Sequence, residues 1–238
     1  MNYIEPVLLK ELHEADYDSL IRYRIRKILM ICSNYDAFIL EEDGQIESQI
    51  YREYIELNLS NSPKFVWVTT SEEARAVMNS SNDIDLVISM FNMGDLEVFQ
   101  LASDLKEQGK NIPFVLLTHF SKEVYKRLSL QNTSGIDYMF SWHGNADLIL
   151  AIVKLLEDRI NADHDILEVG VQAILLVEDS VRYYSTYLPE LYKLILKQCA
   201  EFMKETLNEQ QRKGRKRSRP KILLANNLDD AMGLYMKY

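Results

Sequence analysis

Short, continuously apolar runs alternate with longer amphipathic stretches along most of this chain. Five runs read as strands: "KILMICS" (27–33), "KFVWVTT" (64–70), "DLVISM" (85–90), "IPFVLLT" (112–118) and "IDYMFSW" (136–142). They are apolar throughout, not alternating, as in strands covered on both faces of a parallel sheet. The stretches between them follow a helical period. In "QIESQIYREYIELNL" (45–59), Ile46, Ile50, Tyr54 and Leu57 share one face. "SEEARAVMNS" (71–80) opens on Ser71, read as an N-cap, with two acids behind it that suit the positive end of a helix. Further helices are expected over "LEVFQLASDLKEQ" (96–108), "KEVYKRLSL" (122–130) and "NADLILAIVKLLEDRINAD" (145–163), the last capped by Asn145. Upstream, residues 4–24 read as a helix with apolar Leu8, Leu9, Leu12, Leu20 and Ile21.

Five β–α units in succession predict an α/β fold: a doubly wound parallel five-stranded sheet in the order 2-1-3-4-5. Its crevice lies beyond the carboxyl ends of the strands, where residues following strands one, three and four meet. The pattern then repeats. "ILMICSN" (28–34) lines up with "ILLVEDS" (174–180), and "SPKFVWVTTSEEA" (62–74) lines up without gaps with "RPKILLANNLDDA" (219–231). The second copy has a longer first helix, over about 183–211, and stops inside its second helix. The expected organisation is an N-terminal helix (1–25), a complete domain (26–165), a linker (166–171) and the opening part of a second domain (172–238). That opening part is expected to belong to a longer protein, or to be completed by packing elsewhere.

Composition narrows the function. The chain has 238 residues and a formal net charge of -9, which argues against nucleic-acid binding by the chain as a whole. Its two cysteines, Cys32 and Cys199, are too few for a disulfide framework and match no metal spacing, which fits a reducing cytoplasm. The acidic N-terminus is not a signal peptide, and no apolar stretch reaches the roughly 18 residues of a membrane span. Neither GxGxxG nor GxxxxGK occurs, so the usual phosphate-cradling loops are absent.

"AILLVEDS" followed by an amphipathic helix resembles the start of a bacterial response-regulator receiver domain, a flavodoxin-like (CheY-like) fold. The resemblance covers roughly residues 26–238. It implies five groups around one crevice: two carboxylates after strand one for Mg²⁺, a phosphate-accepting aspartate after strand three, a Thr or Ser after strand four and a lysine after strand five. Metal and lysine neutralise the transferring phosphoryl group, and carboxylate oxygens suit a hard cation. The first copy departs from this set. Cys32 and Ser33 stand at the acid pair, Met90 at the acceptor, Thr118 at the Thr/Ser position and Trp142 at the lysine, followed by His143 where proline is usual. A thioether cannot accept a phosphoryl group, so the first copy is expected to be a pseudo-receiver without a cofactor. The second copy keeps Glu178 and Asp179, the acid pair. The offset of 157 between the matched second strands carries its acceptor to about position 247, past the end. Mg²⁺ is therefore expected there only if that domain is completed. Tandem receiver-like segments of this kind also resemble the front end of large bacterial proteins with a phosphoenolpyruvate synthase-like or pyruvate phosphate dikinase-like catalytic region. That resemblance makes the chain the regulatory portion of such a phosphotransferase.

Each candidate has a plainer alternative. Glu178 and Asp179 can form a solvated acidic turn in place of a Mg²⁺ site. "RKGRKRSR" (212–219) reads as a solvated basic loop more than as a nucleic-acid contact, having no interleaved aromatics. His119 and His143 lack the nucleophile or third ligand of a catalytic set, and Cys32 reads as filler where a carboxylate is lost. Tyr183, Tyr184, Tyr187 and Tyr192 mark a helix face that is mostly core. The function expected is a non-enzymatic signalling module that works through protein contacts or self-association.

Overall fold

The computed structural model describes residues 21–33, 46–56, 62–91, 97–119, 131–142, 144, 146–204 and 219–238. Parallel pairing joins β1 (Lys27–Ile31), β2 (Lys64–Val68), β3 (Leu86–Met90), β4 (Phe114–Thr118) and β5 (Tyr138–Ser141) into one sheet of order β2-β1-β3-β4-β5. This is the order expected from the β–α succession. Helices α1 (Ile46–Glu56), α2 (Ser71–Ser80), α3 (Glu97–Glu107) and α4 (Ala146–Ala162) are the described crossovers and closing helix. Alternate strand residues supply two cores. Ile28, Met30, Leu86, Ile88, Val115 and Phe140 join the apolar faces of α1 and α4. Leu29, Ile31, Val87, Phe114 and Leu116 face α2 and α3. The expected helix at 122–130 and the cap at Asn145 lie outside the described residues.

Several boundaries differ from the sequence reading, each for a local reason. The N-cap of α2 is Thr70, not Ser71. Thr70 has extended backbone and its hydroxyl accepts from Glu73 N at 3.1 Å, while the Glu73 carboxylate accepts from Thr69 N at 2.8 Å. The Thr69 amide and hydroxyl, both donating to it, hold the Glu73 carboxyl below its usual range. Ser71 is instead a buried helical residue. The helix read over 4–24 does not include 21–26, which has no helical structure. There Tyr23 N and Ile25 N donate to Asn161 Oδ1 (3.0 Å) and Glu157 Oε1 (3.1 Å), and Ile21 N to both Asp165 oxygens (3.3 Å). Alternate amides, at 21, 23 and 25, thus meet side chains four residues apart, at 165, 161 and 157, on successive turns of one helix.

The first half of the expected linker at 166–171 is helical. Asp163–Glu168 continues α4 as a π-helical turn, which ends before Gly170 at φ +79°. Asp165 is fully buried in that turn, and Ile166 joins a third apolar cluster.

Beyond the turn, β6 (Ala173–Val177), α5 (Val181–Lys204), β7 (Lys221–Ala225) and α6 (Leu228–Lys237) form a second β–α–β–α unit. The β6–β7 register, Ala173↔Lys221 to Val177↔Ala225, matches Lys27↔Lys64 to Ile31↔Val68 in the first unit. This unit is not separate. Helix α4 packs on β7 and α5, and α5 packs on β5. Tyr184 and Tyr192 of α5 and Ile222 and Leu224 of β7 belong to the same cluster as the first sheet. At β5, Ser141 N donates to Ser185 Oγ at 2.8 Å, and the Tyr184 hydroxyl donates to the Met139 carbonyl.

The two units are keyed by buried charge. Asp158 of α4 accepts from Arg219 through Nη2 (2.6 Å) and Nη1 (2.8 Å), from the Tyr192 hydroxyl (2.9 Å) and from Ile222 N (3.0 Å). Lys221 pairs with Asp165 at 2.8 Å, with both side chains fully buried. Burial holds the Lys221 ammonium below its ordinary range, although Asp165 opposes that shift. Arg219 thus leaves the basic run at 212–219 to become a core residue, and 212–218 lies outside the described residues.

Candidate functional site

The strand order puts the ends of β1, β3, β4 and β5 beside one another, where a doubly wound sheet has its crevice. Cys32 follows β1, is 2% exposed, and its amide donates to Val68 O at 3.1 Å. Met90 ends β3 at 8% exposed, opposite Leu117 in the β3–β4 register. Trp142 follows β5 at 5% exposed, and its amide donates to Thr118 O at 2.9 Å. Cys32, Met90 and Trp142 all belong to one contiguous apolar cluster. Three of the five positions flagged by sequence therefore come together, as packing rather than as a polar pocket. Ser33, the fourth, is half-buried at the rim. His119 is exposed beside Thr118, and His143 lies outside the described residues.

Thr118 lies on the other side of the sheet. It is opposite Ser141 in register, and Ser89 is opposite Leu116, two residues before Thr118. Period-two alternation then puts Ser89, Thr118 and Ser141 on one face. All three hydroxyls are buried without a hydrogen-bond partner among the described residues. Sequence reasoning identified Thr118 and missed the two serines. The available signal was a small hydroxyl near the end of three adjacent strands. An orphaned buried hydroxyl costs about 1–3 kcal/mol. Thr118→Val, which keeps the shape and removes the orphan, is expected to raise stability by about 1 kcal/mol, read as a higher urea midpoint. A fall would show that the hydroxyl is satisfied in solution.

At the end of β6 the two acids part in role. Glu178 N donates to Ala225 O at 3.0 Å, and Glu178 Oε1 accepts from Ser180 N at 2.9 Å, closing the turn into α5. No third histidine, cysteine or acid joins Glu178 and Asp179 into a metal-binding group among the described residues. Mg²⁺ is held by one or two carboxylates together with waters and substrate phosphates, so Glu178 and Asp179 supply the protein part of such a site at most in part. Among the tyrosines, Tyr184 and Tyr192 are buried, whereas Tyr183 and Tyr187 are half-exposed with rings stacked at 6.1 Å. Helical spacing splits the four between two faces. Cys199 is half-buried, and burial pushes its thiol up.

No protein-family model matches the chain, and no curated protein matches it. A solved structure that matches is the receiver domain of a Francisella response regulator, at 19% identity and a TM-score of 0.42, over 57% of this chain and 98% of that domain. The fold assignment rests on the strand order and register described above. Among the described residues, no helix is long and apolar enough to cross a membrane.

Proposed function

We propose that this chain is a regulatory signalling module of receiver-like fold, not a catalyst, which takes no phosphoryl group and acts through protein contacts. One observation carries the reading: Cys32, Met90 and Trp142 sit in a single apolar cluster where phosphoryl transfer needs acids, an acceptor and a cation. Transfer of a phosphoryl group depends on charge placed around it in advance. A thiol, a thioether and an indole supply none. The fold remains useful without the chemistry, since it presents helices and strand edges to partners on a rigid sheet. The second unit is read as a partial copy of the same fold, docked on the first through Asp158 and Asp165. The wider likeness to the front end of a phosphoenolpyruvate-handling protein gains nothing from this geometry.

The test is incubation of the chain with acetyl phosphate and Mg²⁺, followed by intact-mass measurement. The expected result is an unchanged mass, and the Met90→Asp variant, with no acid pair or lysine beside it, is expected to stay unmodified as well. A stable phosphoryl adduct on the wild-type chain within 26–165 overturns the reading.

A further inference from the structure

Lys154, Glu157, Asp158 and Asn161 fall on one side of α4 at helical spacing, and Asp165 follows in the π turn. None of the five is more than 8% exposed. Buried polar groups persist where partners satisfy them. Here the partners arrive from two directions. Residues 21–25 supply backbone amides: Ile21 N to both Asp165 oxygens at 3.3 Å, Tyr23 N to Asn161 Oδ1 at 3.0 Å and Ile25 N to Glu157 Oε1 at 3.1 Å. Asn161 Nδ2 donates in turn to Tyr23 O at 2.8 Å. The second unit supplies Arg219, Tyr192 and Ile222 N to Asp158, and Lys221 Nζ to Asp165 Oδ2 at 2.8 Å. Asp165 serves both directions at once, and His164 Nδ1 lies 2.9 Å from its Oδ1.

The segment 21–25 is held against its own backbone preference. Ile21 has φ +52°, in the left-handed region that a β-branched residue rarely enters. Strain of that kind lasts only where surrounding contacts enforce it, and here the contact is the pair of bonds to Asp165. Tyr23 is 68% exposed, so its hold on α4 is through the backbone. Ile25 is the apolar anchor, in the same cluster as Ile222 and Leu224 of β7.

We propose that residues 21–25 form a releasable strap, and that seating of the strap and docking of the second unit favour each other through Asp165. With the strap seated and Lys221 withdrawn, the Asp165 carboxylate stays out of water without its cation, which is costly. With the strap lifted, water replaces what the cation supplied, and withdrawal costs less. Docking is therefore tighter under a seated strap. By linkage the strap is held tighter when the second unit is docked, by the same factor. A partner that lifts the strap from α4 loosens the second unit, and one that grips the second unit tightens the strap. The coupling and the phosphoryl reading fail separately, because an adduct in the crevice leaves Asp165 untouched and an uncoupled strap leaves the crevice untouched.

Native-state amide exchange and limited trypsin digestion of the whole chain test the coupling. Ile222 N bonds Asp158 across the joint, so its exchange reports docking. Cleavage after Arg22 or Arg24 reports a lifted strap, since proteolysis follows the opened population. Val87 N, bonded to Pro113 O within the first sheet, is the control. Ile21→Pro has no amide for Asp165 and cannot take φ +52°. It is expected to speed both strap cleavage and Ile222 exchange at least about fivefold, with Val87 unchanged. Asn161→Ala, which removes both bonds to Tyr23, is expected to act in the same direction and serves if the proline variant misfolds. Lys221→Met tests the reverse direction and is expected to speed strap cleavage at least about fivefold. Faster cleavage with unchanged Ile222 exchange would make the strap a local feature and overturn the proposal. So would Ile222 and Val87 accelerating together, or cleavage indifferent to Lys221→Met.

Discussion

Asp158→Ala is expected to lower the unfolding free energy by about 3–5 kcal/mol, the range found when one partner of a buried ion pair is removed. Asp158 is 1% exposed and Arg219 is 3% exposed. Truncation leaves a guanidinium inside the protein with Pro220 O, at 3.1 Å, as its acceptor among the described residues. It also orphans the Tyr192 hydroxyl and the Ile222 amide, both of which donate to the lost carboxylate. Tyr192 cannot compensate by ionising, since burial holds its phenol well above the usual range. Urea unfolding gives the total, and native-state amide exchange gives its location. Protection should fall first at Ile222 and along β7, because the carboxylate joins α4 to that strand. Adding Arg219→Met should recover much of the loss, since the buried charge is then gone with its partner. A loss below about 1 kcal/mol in the single variant would mean that water reaches the pair.

Gly135→Ala is expected to cost about 3 kcal/mol or more, for a reason unrelated to backbone freedom. A Cβ there would lie 2.4 Å from the Ala102 carbonyl carbon, 2.6 Å from Ser103 N and 2.7 Å from Ala102 O. All three are backbone atoms of α3, so no rotamer change relieves the contact. The helix itself must move, and it buries Val98, Phe99, Leu101, Ala102 and Leu105. Overpacking against yielding side chains costs about 1–3 kcal/mol, and an unyielding backbone belongs at or above the top of that range. Gly109→Ala is the control. Gly109 has φ +69° with nothing within 4 Å of an added Cβ, so only about 1–2 kcal/mol of conformational strain is expected. Thermal unfolding of the two variants should rank them in that order. The reverse order would mean that α3 is free to shift.

Strands and sheet order could be read directly because the signal is local. Each strand is a continuous apolar run, and β–α succession with right-handed crossovers leaves few arrangements. The crevice positions followed from counting along those strands, so Cys32, Met90 and Trp142 were identified in advance and do lie together. What each position does could not be read that way. Thr118 looks like the one retained group, yet its hydroxyl has no partner, and the unnoticed Ser89 and Ser141 share its face. Side chains on adjacent strands become neighbours only through register. The four-tyrosine stripe had a similar limit. Helical period separates Tyr184 and Tyr192 from Tyr183 and Tyr187, but only the presence of β5 and Asp158 makes the first pair the buried one.

Arg219 and Lys221 mark the limit most clearly. In sequence, one ends a basic run and the other matches Lys64, which is exposed in the first unit. Both are buried in the second, because α4 brings Asp158 and Asp165 against β7. Beside the same helix, residues 21–24 of an expected N-terminal helix are not helical, and residues 166–168 of an expected linker lie in a π turn. Local patterning was sufficient for the α/β class and the β–α–β–α order of both units, because periodicity and residue type are properties of the chain itself. The docking of the second unit and the buried ion pairs that key it emerged only in three dimensions. Each depends on charges and strands far apart in sequence meeting where water is excluded, and the energy of a buried charge is set by its partners.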